Sequence, residues 1–286
     1  MSPKFYKQLS KKYPINLLNT VQYNASKYPI YSFSLGNKIN PVFRIMVTAG
    51  YHGNEKIGVD ILLEFLTMAK NYDLSSVNIV GIPVVNPYGY IHNTRYNGDR
   101  IDLMRNAPID EPNASFFIGG QRFSKFLPNY RGKIIKGLAY ENEVILDFVN
   151  KYQKNSIPLF HIDIHSGFGN KTLIWPAQNT KKNRNKEMFK LLNDLCSAPQ
   201  FHYEEQAYLC NGDMLEYLFK KSPNKKSYLA ATMEIGFWKQ LKKSPWLSFK
   251  MDNWFNPVAS EHPSVVQIHA NFLDNLYKEL VIKYSK

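Results

Sequence analysis

Phe43-Arg44-Ile45-Met46-Val47-Thr48-Ala49, running straight into Gly50-Tyr51-His52-Gly53-Asn54-Glu55, is the stretch that orders the rest of the chain. Its first seven residues form an apolar run of strand length, and Gly50 ends it. From about Glu55 to Lys70 the period changes, and Ile57, Ile61, Leu62, Phe65 and Leu66 fall on one helical face. A buried strand that passes through a tight turn into a helix is the repeating unit of a sheet covered by helices.

The same alternation continues outward. Residues 77–85 read as a second apolar strand, stopped by the turn Asn86-Pro87-Tyr88-Gly89. Residues 91–137 are rich in Asn, Gly, Pro and Arg, and read as long loops. A helix is expected over Tyr140–Tyr152, then a strand over 159–165 that breaks at Ser166-Gly167-Phe168-Gly169. Helices near Lys186–Leu195 and 212–219, a strand over Tyr228–Ile235 and an amphipathic helix over 264–284 complete the chain. The expectation is an α/β fold, a single domain over residues 1–286, with a central mixed, largely parallel sheet and helices on both faces. Ligands of such sheets gather at the carboxyl ends of the strands.

Composition bounds the function. With 286 residues, 44% of them hydrophobic and 14% aromatic, the chain can fill a sizeable core. Its longest apolar runs are far too short to span a bilayer. Residues 1–12 are polar and basic, without the apolar segment of an export signal, so a cytoplasmic location is expected. Cys196 and Cys210 could form one bridge, but two cysteines are no disulfide framework, and free thiols are the preferred reading. The formal charge of +13 favours acidic partners, from carboxylate-bearing peptides to anionic polymers, although scattered lysines also fit a plain compositional bias.

Four segments carry chemistry. In the first, His52 and Glu55 sit three residues apart on a strand-to-helix turn, which can aim an imidazole and a carboxylate at one point; a helix start carrying an acid is the plain alternative. In the second, Asp163-Ile164-His165-Ser166-Gly167 closes a strand on which His161, Asp163 and His165 alternate on one face. That strand could hold a metal by itself. We prefer His165 with His52 and Glu55, and Asp163 as the group that orients a ligand, because two histidines and one glutamate leave one position open, as a catalytic zinc requires. In the third, Thr232-Met233-Glu234-Ile235-Gly236 ends an apolar strand with a carboxylate placed to act as general base beside such a metal; a salt-bridged strand end is the rival reading. The fourth is Asn86-Pro87-Tyr88-Gly89 with Thr94-Arg95-Tyr96-Asn97 and Asp102-Leu103-Met104-Arg105-Asn106. Its guanidinium groups suit a substrate carboxylate or a developing oxyanion, and Arg95, Arg100 and Arg105 could equally be surface charges.

The order of these segments resembles that of the zinc carboxypeptidase family, and of a bacterial branch of it in particular. The matching stretches are AGYHGNE, VNPYGYIHNTRYN, IDLMRN, DIHSGFG and MEIG, spread over residues 49–236. The resemblance implies one zinc ion on His52, Glu55 and His165, with Glu234 as general base. It further implies Arg95 beside the scissile carbonyl, Arg105 and Asn106 on a substrate carboxylate, and Tyr208 closing over the substrate. One departure stands out: Met104 occupies a position where the family usually has asparagine, and a thioether cannot donate a hydrogen bond to a carboxylate. Strict cleavage at a C-terminus is therefore less secure than hydrolysis itself.

The expected activity is hydrolysis of a peptide or peptide-like amide near a free carboxylate. Removal of small acyl groups from N-acyl amino acids, as in desuccinylase and aspartoacylase relatives, is the alternative. A basic, non-enzymatic module for anionic polymers is the remote one. No specific nucleic-acid partner and no membrane span are expected. His92, His202, His262 and His269 read as loop or surface residues. Residues 237–255 interleave Trp238, Trp246 and Trp254 with four lysines; this mix could grip a polymer, but packing over the core as a pocket wall is the preferred reading. Lys181-Lys182-Asn183-Arg184 and Lys225-Lys226 read as solvated loop charge.

Overall fold

The computed structural model describes residues 12–115, 119–153, 156–177, 186–205 and 207–284. The basic stretch at 181–184 and residues 1–11 lie outside these. The strands are β1 (Ile15–Tyr23), β2 (Ser26–Gly36), β3 (Phe43–Ala49), β4 (Val77–Ile82), β5 (Leu159–Ser166), β6 (Thr172–Pro176), β7 (Phe201–Tyr203) and β8 (Tyr228–Ile235). They form one eight-stranded sheet in the order β1-β2-β4-β3-β5-β8-β6-β7. The middle of the sheet, β4-β3-β5-β8, is parallel, whereas β1, β2 and β6 join antiparallel. The mixed, largely parallel α/β sheet expected from the sequence is the one observed.

Helices α1 (Lys56–Met68), α2 (Pro87–His92), α3 (Tyr140–Tyr152), α4 (Lys186–Leu195), α5 (Met214–Lys221), α6 (Trp238–Lys243), α7 (Asp252–Phe255) and α8 (His262–Tyr284) surround it. Alternation along the central strands splits the apolar side chains between two cores. Ile45 and Val47 of β3 join Leu62 and Phe65 of α1 and Leu273 and Leu276 of α8. Met46, between them in sequence, joins Ile145 and Phe148 of α3 and Leu215 and Leu218 of α5. Both faces are therefore covered, and polar groups at the strand ends have only the sheet's open edge to occupy.

Differences from the sequence reading lie at the sheet's margins. The hairpin β1–β2 was not expected; its two-residue turn holds Asn24 at φ 52, a left-handed conformation asparagine tolerates well. His269 is not a loop residue: it lies on α8, 5% exposed, bonded to Thr172 Oγ1 at 2.6 Å and the Val265 carbonyl at 2.7 Å. Burial lowers its pKa to about 4, so it serves as a neutral packing residue. His92 and His202 are exposed and His262 is half-buried. Both cysteines are free thiols. No helix among the described residues is long and apolar enough to cross a membrane.

Candidate active site

The turn after β3 is fixed by a second turn behind it. Beyond the ends of β3 and β4 the two chains stay bonded, Val85 N to the Ala49 carbonyl and Asn86 N to the Gly50 carbonyl. The Asn86 side chain accepts from Gly89 N at 2.8 Å, capping α2, and donates to the Tyr51 carbonyl at 3.2 Å. Gly53 passes so close that a Cβ there would lie 1.8 Å from the Gly89 carbonyl carbon. Only glycine fits, and the contact sets the direction in which His52 leaves the turn.

Glu55, at the N-cap of α1, is the hub of a buried cluster. Its Oε1 lies 2.6 Å from His52 Nδ1, and its Oε2 lies 3.0 Å from His165 Nδ1. One donor atom from each residue falls within 4.8 Å of the others, and all three side chains are buried. The outer nitrogens are also held: His52 Nε2 is 3.1 Å from Asp102 Oδ1, and His165 Nε2 is 2.7 Å from Asp163 Oδ2. Behind them, Thr48 Oγ1 donates to Asp163 Oδ1 at 2.6 Å. The rival set on β5 alone is not assembled among the described residues, because His161 turns to Thr48 Oγ1 and the Tyr228 hydroxyl.

This donor set fits a metal ion. For both Nδ1 atoms to be ligands, both Nε2 atoms must carry hydrogen and donate outward, and Asp102 and Asp163 accept at those positions. Two imidazoles and a carboxylate, buried and oriented by outer carboxylates, match a small dication that takes nitrogen and oxygen ligands.

The electrostatics follow from burial and pairing. Burial would raise the Glu55 pKa, yet the histidines beside it hold the carboxyl below its ordinary range. Burial opposes the charged form of His165 too, but Asp163 and Glu55 raise it well above normal. Asp102 is held well below its usual range against its own burial, by Arg95 first and His52 next. Glu234 goes the other way: burial, then the negative charge of Glu55, pushes it up to about 7. Glu234 is directly paired with His165 across β8 and β5, and its Oε1 accepts from Phe168 N at 3.0 Å.

Arg95 reaches the cluster's rim, where Nε donates to Asp102 Oδ2 at 2.9 Å and Nη1 to Glu55 Oε1 at 3.3 Å. Arg105 is buried; its Nη2 donates to the Tyr208 hydroxyl at 3.2 Å, and its Nε has no partner among the described residues. Tyr208 packs edge-on against Trp175. The Asn106 amide is taken up by the scaffold: Nδ2 donates to the Arg131 carbonyl, and Oδ1 accepts from Ala139 N and Asn142 Nδ2. Met104 points into the core and does not face the site. The ends of residues 237–255 pack over the sheet's open end, Trp238 edge-on against Phe168 and Phe255 against the turn after β5. Ser166 Oγ donates to the Phe255 carbonyl at 2.6 Å, and a Cβ on Gly167, at φ +121, would meet the Phe255 ring at 2.7 Å. Trp246, in the middle of the stretch, is exposed instead.

Two contributors escaped the sequence reading. Asp102 stood within a quoted motif, yet its bridge between His52 and Arg95 depends on a loop path that no periodicity reveals. Arg131 ties down the Arg105 segment through the carbonyls of Arg105, Ala107 and Ile109 and through Asp110. A lone arginine in a polar loop carries no signal of such a role.

Comparison with known proteins places the fold. A sequence profile described as a protein of unknown function (DUF2817) matches residues 35–115, the stretch holding His52, Glu55, Arg95 and Arg105. A search of curated protein sequences gives no match. Among solved structures, carboxypeptidase A from Helicoverpa armigera superposes with a TM-score of 0.57 at 16% identity, over 93% of this chain and 71% of that one. Bovine thrombin-activatable fibrinolysis inhibitor, in complex with tick carboxypeptidase inhibitor, gives 0.58 at 19% identity, over 95% of each chain. Murein-tripeptide amidase MpaA from Escherichia coli O157 gives 0.54 at 15% identity, over 91% of each. The chain has the carboxypeptidase fold that its motifs implied. At such low identity the likeness is one of fold.

Proposed function

We propose that the protein is a zinc-dependent hydrolase of a peptide or peptide-like amide bond near a free carboxylate. One observation carries this reading: both histidines turn Nδ1 toward the same carboxylate while a second carboxylate holds each Nε2. His52, Glu55 and His165 would hold the ion, which supplies Lewis acidity that polarises the amide carbonyl and acidifies water.

The remaining work belongs to the chain's own side chains. Glu234 takes a proton from the attacking water at its carboxylate and returns one to the leaving amine; a pKa pushed up to about 7 suits both transfers. Arg95, charged and 27% exposed at the cluster's rim, stands where charge develops on the carbonyl oxygen. Arg105 binds the substrate carboxylate through its guanidinium, whose Nε lacks a partner among the described residues, and Tyr208 packs beside it. Since Met104 is buried in the core, the carboxylate rests on Arg105 and Tyr208. Such a short grip also suits a deacylase of N-acyl amino acids, the second reading.

Two measurements on one preparation test this. Elemental analysis should give close to one zinc per chain, lost in His52→Ala and in His165→Ala. A screen of acylated amino acids and short peptides, each as free acid and as amide, should show turnover of the acids. Full metal in both variants, or equal rates on acid and amide, would overturn the assignment.

A further inference from the structure

Beside the cluster opens a cleft of about 500 Å³, within the range of small-molecule sites. Arg95 and Asp102 are among its lining residues, and both are bonded to the cluster, so the cleft adjoins the groups that would hold and polarise the scissile bond. Polar and charged side chains also line it, Lys125 and Asp252 among them, but most of the surface it presents is apolar, from Tyr96, Phe126, Leu127, Met251 and Phe255. Neither Arg105 nor Tyr208 lines it.

These walls are built to stay open. Phe126 is 74% exposed and Met251 69%, although both are large and apolar. The Arg100 guanidinium lies 4.8 Å from the Tyr96 ring and 5.3 Å from the Phe126 ring, and its Nε donates to the Lys125 carbonyl. Arg100 does this from a left-handed backbone, φ 63, which is unusual for so bulky a residue. The cation thus fixes one aromatic wall relative to the other, and the apolar faces remain free for a ligand.

We infer that this cleft receives a bulky apolar acyl group, which makes the substrates N-acyl amino acids or short peptides whose acyl half is a medium-length hydrocarbon chain. The inference rests on the amide-hydrolase reading: with the substrate carboxylate on Arg105 and the scissile bond at the cluster, the half that remains must leave along the cleft. Phe126, Leu127 and Met251 then select for acyl length, a role the metal cluster cannot perform.

Calorimetric titration of N-acetyl-, N-butanoyl- and N-octanoylalanine tests this on zinc-loaded Glu234→Gln protein, alongside turnover by the wild type. Complete burial of a methylene is worth about fourfold in affinity. In a cleft open along one side, octanoylalanine should still bind at least about 30-fold more tightly than acetylalanine. Phe126→Ser/Met251→Ser, both at exposed positions, should abolish the dependence on chain length without lowering the melting temperature. Equal affinities across the series overturn the inference, and so does partition of the protein onto anionic vesicles through Phe126 and Met251 with no effect of chain length. Chain-length selectivity without any turnover would leave the cleft assignment standing and refute hydrolysis. Turnover with no selectivity would do the reverse.

Discussion

The two ends of the site are built on opposite principles. Within the Glu55 cluster the ligand-bearing side chains are all engaged: both oxygens of Glu55, both nitrogens of His52 and of His165, and the carboxylates of Asp102 and Asp163 behind them. Only at its margin do the Tyr51 hydroxyl and Asn54 Oδ1 lack partners among the described residues. Among the described residues, the buried Arg105 Nε has no partner, and one phenol is the only side chain bonded to the guanidinium. A buried donor without an acceptor costs about 1–3 kcal/mol, which an arriving carboxylate would recover. The first region is finished before any substrate comes. On the proposed reading, the second is completed by it.

The sharpest way to break this contrast is Glu234→Gln. The amide keeps the shape but cannot take a proton, so kcat should fall by about 10²–10⁴ while metal content and melting temperature hold. Loss of metal in this variant would move Glu234 into the ligand set. Asp163→Asn loosens the finished region instead: an amide oxygen accepts more weakly from His165 Nε2, and metal affinity should drop about 10–100-fold by competition with a chelator. Unchanged affinity would mean that the outer carboxylates do not orient the ligands.

Arg105→Lys probes the unfinished region. Lysine keeps the charge and loses the planar fork, so KM should rise by roughly tenfold with kcat little changed. A fall in kcat with KM constant would place Arg105 in the transition state. The smallest effect is in the pH profile. Glu234 acts as a base only when deprotonated, so activity should climb as pH rises through its pKa. Burial and Glu55 put that pKa at about 7, and a bound dication would pull it lower. An acid limb that survives unchanged in the residual activity of Glu234→Gln would assign it to another group.

The same division explains what the sequence disclosed. β3, β5 and β8 are buried on both faces, so β3 and β8 read as mainly apolar runs and β5 as an apolar strand with His161, Asp163 and His165 on one face, and all three match the sequence reading within a residue. The cluster they carry was legible because His52, Glu55, His165 and Glu234 sit at the ends of those runs. β1 was not legible: it pairs on one side, and only Val21 is fully buried while the rest are half-buried or exposed. β2 carries Pro29 in mid-strand, a residue that argues against a strand from sequence alone. Asn106 shows the limit within the site. Its motif suggested substrate contact, whereas its amide is occupied by Arg131, Ala139 and Asn142, contacts between distant loops with no periodic trace.

His165 and Glu234 stand opposite each other on neighbouring parallel strands. Their separation is therefore set by the spacing between strands, about 4.8 Å, rather than by any loop. Amide protons along β5 and β8 should exchange with solvent only as slowly as the whole sheet opens, while those of residues 119–131 exchange through local fluctuations. Substitution meets the same asymmetry: the loops can change without moving His165 or Glu234, whose relative placement is inherited with the sheet itself.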